Sequence, residues 1–345
     1  MKSKTGSVLW SRFFSIAMST VSTVTDYYSI QNTDENGEYR ANKYNRKLGL
    51  GYSNNTLPLV TKLDPSTASL AEILKVLERD GAVVLKNALP VAQVAKFAQE
   101  HQKVLNRKDI SEMMQQQLQE RKDDLTQNNS AKSFYKGERT TSDGLRMRTT
   151  AFGRFDLKHL DRRDGPLKEL SSAIDPLVLP DIVKTLLSHT MGTPWRVTTV
   201  GSIPTLPNAV GGDWHRDIGE GLFGEEQDVK LIPDYYFNAL IPLGTIENEE
   251  CGTEIVVGSH REGIADVVDR RFIASGVAGD IIFFNGKCIH RGRPNVSERQ
   301  RDLIYIVYAA KWFEQGRDAV KEIGEWGSKE RPVGEKEIGK LRSKL

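Results

Sequence analysis

Cysteine is almost missing from this chain: Cys251 and Cys288 are the only two in 345 residues. That excludes a disulfide framework and fits a reducing compartment. An excess of either charge is missing too, with 48 basic against 46 acidic residues and a formal net charge of +2. Without a basic excess or block, neither nucleic acid nor an anionic membrane is indicated as a partner. No run approaches the roughly 18 apolar residues that span a bilayer. Histidine is scarce, only six in the chain, so each can be weighed individually. What is present suits a sizeable core: 38% hydrophobic residues, with 12 Phe, 10 Tyr and 5 Trp.

The two ends read as addresses or tails. Residues 1–25 carry Lys2, Lys4 and Arg12 and no acidic residue before Asp26, the composition of a mitochondrial or plastid transit segment or of a plain polar tail. The chain ends Ser343-Lys344-Leu345, the tripeptide read by the peroxisomal import receptor. Peroxisomal import is therefore the expected localisation, with an organellar or cytoplasmic one as the alternative. Residues 1–66 are expected to form an irregular N-terminal extension, 67–315 one catalytic domain, and 316–345 a polar tail.

Within the domain, Ser69 to Leu77 places apolar residues at helical spacing, with Ser66 and Thr67 available as caps. Asp80-Gly81 closes that helix and Ala82 to Leu85 follows as a short strand. A second amphipathic helix is expected from Val91 to Leu105. Residues 107–145 turn polar and loosen, the pattern of a helix and a long loop, hence a lid or insert. From Trp195 onward the pattern is strands and turns: Trp195 to Ile203, Tyr235 to Pro242, Thr253 to Val257, Asp280 to Asn285 and Arg301 to Ala310. An antiparallel β core behind a helical front predicts a double-sheet jelly roll, the cupin-like barrel or double-stranded β-helix.

Among the histidines, His101 and His159 read as surface residues and His189 as a helix-end residue. His260 falls in a turn after a strand. His215 differs, because it stands in Asp213-Trp214-His215-Arg216-Asp217. On extended backbone, residues i and i+2 share a side, so His215 and Asp217 can reach one cation together. His290 ends the apolar run that begins at Gly279-Asp280, and a jelly roll can bring it beside that pair. Two His and one carboxylate form a facial triad with open positions, suited to non-haem Fe(II) and O2. Cys288 shares the face of His290 and reads as a small buried residue. Arg301 starts an alternating strand with Leu303, Tyr305 and Val307, and an inward guanidinium there calls for an anion. The distal carboxylate of 2-oxoglutarate meets that demand as a bidentate partner; Arg299 is the fallback. Trp214, Tyr235 and Phe237 read as wall or core residues. Arg146 and Arg148 share one face of a short strand and read as a solvated edge or a clamp for a substrate carboxylate or CoA phosphates.

Taken together, Asp80-Gly81-Ala82-Val83-Val84-Leu85, Trp214-His215-x-Asp217, Cys251-Gly252-Thr253, Gly258-Ser259-His260-Arg261, Gly279-Asp280, His290-x-Gly292-x-Pro294-Asn295 and Arg301 resemble the phytanoyl-CoA dioxygenase family of Fe(II)/2-oxoglutarate oxygenases. The resemblance spans roughly Leu70 to Phe313. It implies iron on His215, Asp217 and His290, and 2-oxoglutarate on Arg301, with Thr253 and Asn238 as weaker cosubstrate contacts. It also implies oxidation of a small organic substrate with O2, releasing succinate and CO2. Retention of Asp217 points to oxygenation, desaturation or ring closure rather than halogenation. The substrate reads as a peroxisomal acyl-CoA or a specialised metabolite; a redox-inert cupin metalloenzyme or a non-catalytic binding module are the competing classes.

Overall fold

A computed structural model describes residue 48 and residues 57–126, 138–161, 167–192, 194–218, 229–246 and 252–313, with the side chains of 121–126 and of residue 265 left aside. Both address segments, and residues 127–137 of the expected lid, lie outside the described residues.

The helices are α1 (Leu70–Asp80), α2 (Val91–Leu105), α3 (Lys108–Thr126), α4 (Lys168–Val178), α5 (Asp181–Met191) and the short α6 (Ile264–Val267). The strands run from β1 (Lys62–Leu63) and β2 (Ala82–Leu85) through β3 (Arg139–Thr140), β4 (Arg146–Ala151), β5 (Arg154–Lys158) and β6 (Trp195–Thr205). They continue with β7 (Tyr236–Pro242), β8 (Thr253–Val256), β9 (Arg271–Ala274), β10 (Ile281–Asn285), β11 (His290–Gly292) and β12 (Arg301–Ala310). A nine-stranded sheet has the order β1-β2-β10-β7-β12-β6-β5-β4-β3, and a three-stranded sheet the order β11-β8-β9.

Period-2 alternation gives the central strands β2, β7 and β10 two buried faces. Val84, Ile282, Phe284, Leu240 and Leu303 point inward and pack with Ile255 and Ala274 of the small sheet. Val83, Leu85, Phe237, Phe283, Ile304 and Ile306 point outward, into one cluster with Ile73 and Leu77 of α1, Phe97 of α2 and Ile174 of α4. The result is a jelly roll with helices covering the outside of its larger sheet. No described helix is long and apolar enough to cross a membrane.

Two local expectations are corrected. The cap of α1 is Ser69, in a reciprocal box with Glu72, whereas Ser66 turns onto Asp64. His101, expected at the surface, is 1% exposed, with Nε2 2.8 Å from Ser202 Oγ on the sheet's outer face. It lies on the inner face of an amphipathic helix, with Nδ1 making no hydrogen bond among the described residues and standing 3.8 Å from Asp302 Oδ2. The segment after α3 contributes a hairpin edge, β3 to β5, that extends the large sheet.

Candidate active site

The segment carrying His215 lies antiparallel beside the start of β11, where His215 and His290 exchange both backbone hydrogen bonds at 3.0 and 2.9 Å. Directly opposed residues of such a pair present their side chains on the same face, and the ring centroids are 4.3 Å apart. Asp217, two residues on, joins them. Its two carboxylate oxygens lie 3.6 Å from His215 Nε2 and 3.6 Å from His290 Nε2. Donor atoms of all three residues fall within 4.8 Å of one another, making them the sole such His/Cys/Asp/Glu group among the described residues.

Backbone carbonyls set both imidazole tautomers. His215 Nδ1 sits 2.8 Å from Asp213 O, and His290 Nδ1 sits 3.0 Å from Cys288 O. A carbonyl only accepts, so each Nδ1 carries the proton and each Nε2 lone pair faces the common point. Burial pushes His290 down to about 4, against the pull of Asp217, which keeps its ring neutral near pH 7 as a ligand must be. His215 is half-exposed while His290 is 10% exposed, so the site opens to solvent on the His215 side. Two neutral nitrogens and one carboxylate on a single face are the donor set that suits Fe(II) with open positions.

Around this point the other expected residues divide. Arg301 is buried on the inner face of β12, opposite Thr205, and Thr253 is buried on β8, opposite Gly292. Asn238 also faces the donor group: its Nδ2 donates to Asp217 Oδ2 at 2.6 Å, which steadies that carboxylate. Trp214 is 0% exposed and lies behind the ligand strand beneath Arg291, so it is not a pocket wall. Tyr235 is also displaced from the expected wall, packing on Trp312 and Phe313 with centroid separations of 5.1 and 4.6 Å. Phe237 stacks on Phe283 in the outer core. The expected clamp is engaged internally: Arg148 Nε donates to Asp156 Oδ2 at 2.7 Å and Arg146 lies 3.6 Å from Glu138. Tyr305 Oη donates to the other oxygen of Asp156 at 2.6 Å, completing a buried chain from β12 to β4.

Sequence reading set Arg154 of β5 in one run with Arg146 and Arg148 but gave it no role of its own. It stands opposite Thr205 on one side as Arg301 does on the other, so both guanidiniums share the inner face. A Cβ at Gly292 would sit 1.6 Å from Arg154 Nη1, so the glycine leaves room for that cation next to His290. Its alternation in Arg154-x-Asp156-x-Lys158 was a signal, but nothing local shows which strand lies beside it. His260 stands apart from the donor group, with Nε2 3.1 Å from Glu78 O. Cys288 is buried with its thiol pushed up to about 12 by burial, and it donates weakly to Gly81 O.

A jelly roll that gathers two histidines and a carboxylate at one point offers a candidate metal centre. The profile of the phytanoyl-CoA dioxygenase (PhyH) family matches residues 77–303, and the chain belongs to that family. It is accordingly an enzyme of the Fe(II)- and 2-oxoglutarate-dependent oxygenase type. No curated protein sequence matches the chain. Among solved structures it is similar to SnoN, a non-haem α-ketoglutarate-dependent epimerase from nogalamycin biosynthesis, at 16% identity and TM-score 0.47, covering 72% of this chain and 84% of that one. It is also similar to HygX from Streptomyces hygroscopicus with nickel and 2-oxoglutarate bound, at 16% identity and TM-score 0.48, covering 72% and 91%. At such values these likenesses assign neither reaction nor substrate.

Proposed function

We propose that this enzyme oxidises a C–H bond of a small organic substrate, by hydroxylation, desaturation or oxidative cyclisation, with His215, Asp217 and His290 holding Fe(II). The carrying observation is the convergence of those three donors on one point, with both Nε2 atoms freed by carbonyl-bound Nδ1 protons. When bound, Fe(II) with 2-oxoglutarate supplies O2 activation coupled to decarboxylation of the cosubstrate to succinate and CO2. The chain's own task is positioning and exclusion of water. Arg301 binds the distal carboxylate of 2-oxoglutarate as a charge-assisted fork, and Thr253 adds a hydroxyl from the facing sheet. Asn238 fixes the Asp217 carboxylate in rotation. Apolar inner-face residues such as Leu240, Phe284 and Leu303 fill the barrel floor and keep bulk water out.

The buried, inward-facing Arg301 supports the cosubstrate role. The test is succinate formation from 2-oxoglutarate under O2, with and without candidate substrates from the acyl-CoA and free-acid classes. Arg301→Gln should raise the KM for 2-oxoglutarate by about 10- to 100-fold, the usual range for losing a charge-assisted pair. Turnover of 2-oxoglutarate at an unchanged KM in that variant would refute the role of Arg301.

A further inference from the structure

The residues next to the metal-site histidines form a second cluster on the reverse of the same strands. Trp214 precedes His215 and Arg291 follows His290, so alternation sends both away from the site. The Arg291 guanidinium carbon lies 4.4 Å from the centroid of the Trp214 ring, within cation–π range. Arg291 Nε also donates to Glu254 Oε2 at 2.5 Å, and Arg293 Nη1 lies 3.4 Å from Glu254 Oε1. Glu254 is the cross-strand partner of Arg291 on β8. Arg291, Glu254 and Trp214 are each 0% exposed. The apolar bed beneath Trp214 is Val256, Ile264, Val267 and Ile289.

Stability alone does not account for this arrangement. Removing two charges from water offsets most of their attraction, and well-packed apolar residues in their place are often neutral or stabilising. What an apolar pair does not supply is direction: the salt bridge fixes β11 on β8, and the stack fixes β11 on the strand of His215. We infer that Arg291, Glu254 and Trp214 form a rear strut that sets the His215–His290 separation, making them positioning residues for the metal. The inference rests on the metal assignment proposed above.

The test is Co(II) titration of the full-length apoprotein, read by its ligand-field absorption, together with the apoprotein's thermal midpoint. In the double variant Arg291→Met with Glu254→Leu, the midpoint should fall, because Arg293 loses Glu254 as its ion-pair partner, so the metal titration is read well below that midpoint. Its Co(II) Kd should rise by on the order of 10- to 100-fold, as for other supports of ligand orientation. A folded double variant with the wild-type Kd overturns the strut. Should that variant fail to fold, Trp214→Leu and Trp214→Phe decide: weakening by Leu with recovery by Phe supports the strut, while equal behaviour of the two overturns it. Absence of Co(II) binding by the wild type would overturn the metal assignment and the strut with it. A wild-type affinity that the double variant matches would overturn the strut alone.

Discussion

At Asp217 the two carboxylate oxygens face different partners: one is closer to His215, and the other accepts from Asn238 while facing His290. Removing the amide frees the carboxylate to rotate without deleting a donor. Asn238→Ala should therefore weaken Fe(II) binding by about 10- to 100-fold while leaving the fold intact; equal affinity in an anaerobic titration would contradict that role. His101 gives a second prediction at this scale. Burial pushes its ring down to about 4 from 6.5, so the folded protein resists a proton that the unfolded chain accepts. The neutral ring is cost-free above pH 6.5, and folding stability falls as pH drops from 6.5 towards 4, by about 3 kcal/mol in total. Asp302, pushed up to about 6 by its own burial, acts in the opposite sense, its contribution being lost as pH rises from 3.8 to 6. Comparison with His101→Gln isolates the histidine: the variant should lose less stability than the wild type between pH 6.5 and 4 in denaturant unfolding. Parallel curves would refute the assignment.

Among the elements, helix α1 shows what was legible and why. Its stop at Asp80-Gly81 was legible, Gly81 closing the helix at φ 75°, whereas its cap was read at Ser66 or Thr67 and is Ser69, boxed with Glu72. Ser69→Ala should destabilise by about 1 kcal/mol, measurable as a lower denaturant midpoint. Gly81→Ala should do more damage than that cap loss. An alanine there is strained at positive φ, and its Cβ would sit 2.5 Å from both Cys288 Sγ and His260 Nδ1. An alanine variant as stable as the wild type would contradict this packing. The strand Ala82–Leu85, helix α2 and strand β12 were likewise readable from period and composition, with matching boundaries. The grouping of His215, Asp217 and His290 was readable because i and i+2 on extended backbone share a face and only one distant histidine ended a buried run. Less accessible was everything set by a neighbour across space. Asn238 reads only as a cosubstrate contact until Asp217 is seen beside it. Trp214 reads as a wall until Arg291 covers it. Arg148 reads as a free cation until Asp156 and Tyr305 are found to complete a chain with it. Register between strands distant in sequence decides all three, and no local period encodes it.

The whole molecule joins three layers. Helices cover the outer face of the nine-stranded sheet, apolar side chains fill the floor between the sheets, and the metal donors gather at the edge where β11 meets the segment of His215. That placement leaves one side of the site open and the other dry, as a reaction with O2 and a small substrate needs. Assembly of iron and 2-oxoglutarate together on this chain is read out by anaerobic titration with both. A visible charge-transfer band is expected that requires Fe(II) and 2-oxoglutarate together, is absent in Asp217→Ala, and bleaches when O2 is admitted with formation of succinate. Fe(II) binding by the folded wild-type protein with no such band at saturating 2-oxoglutarate would contradict it.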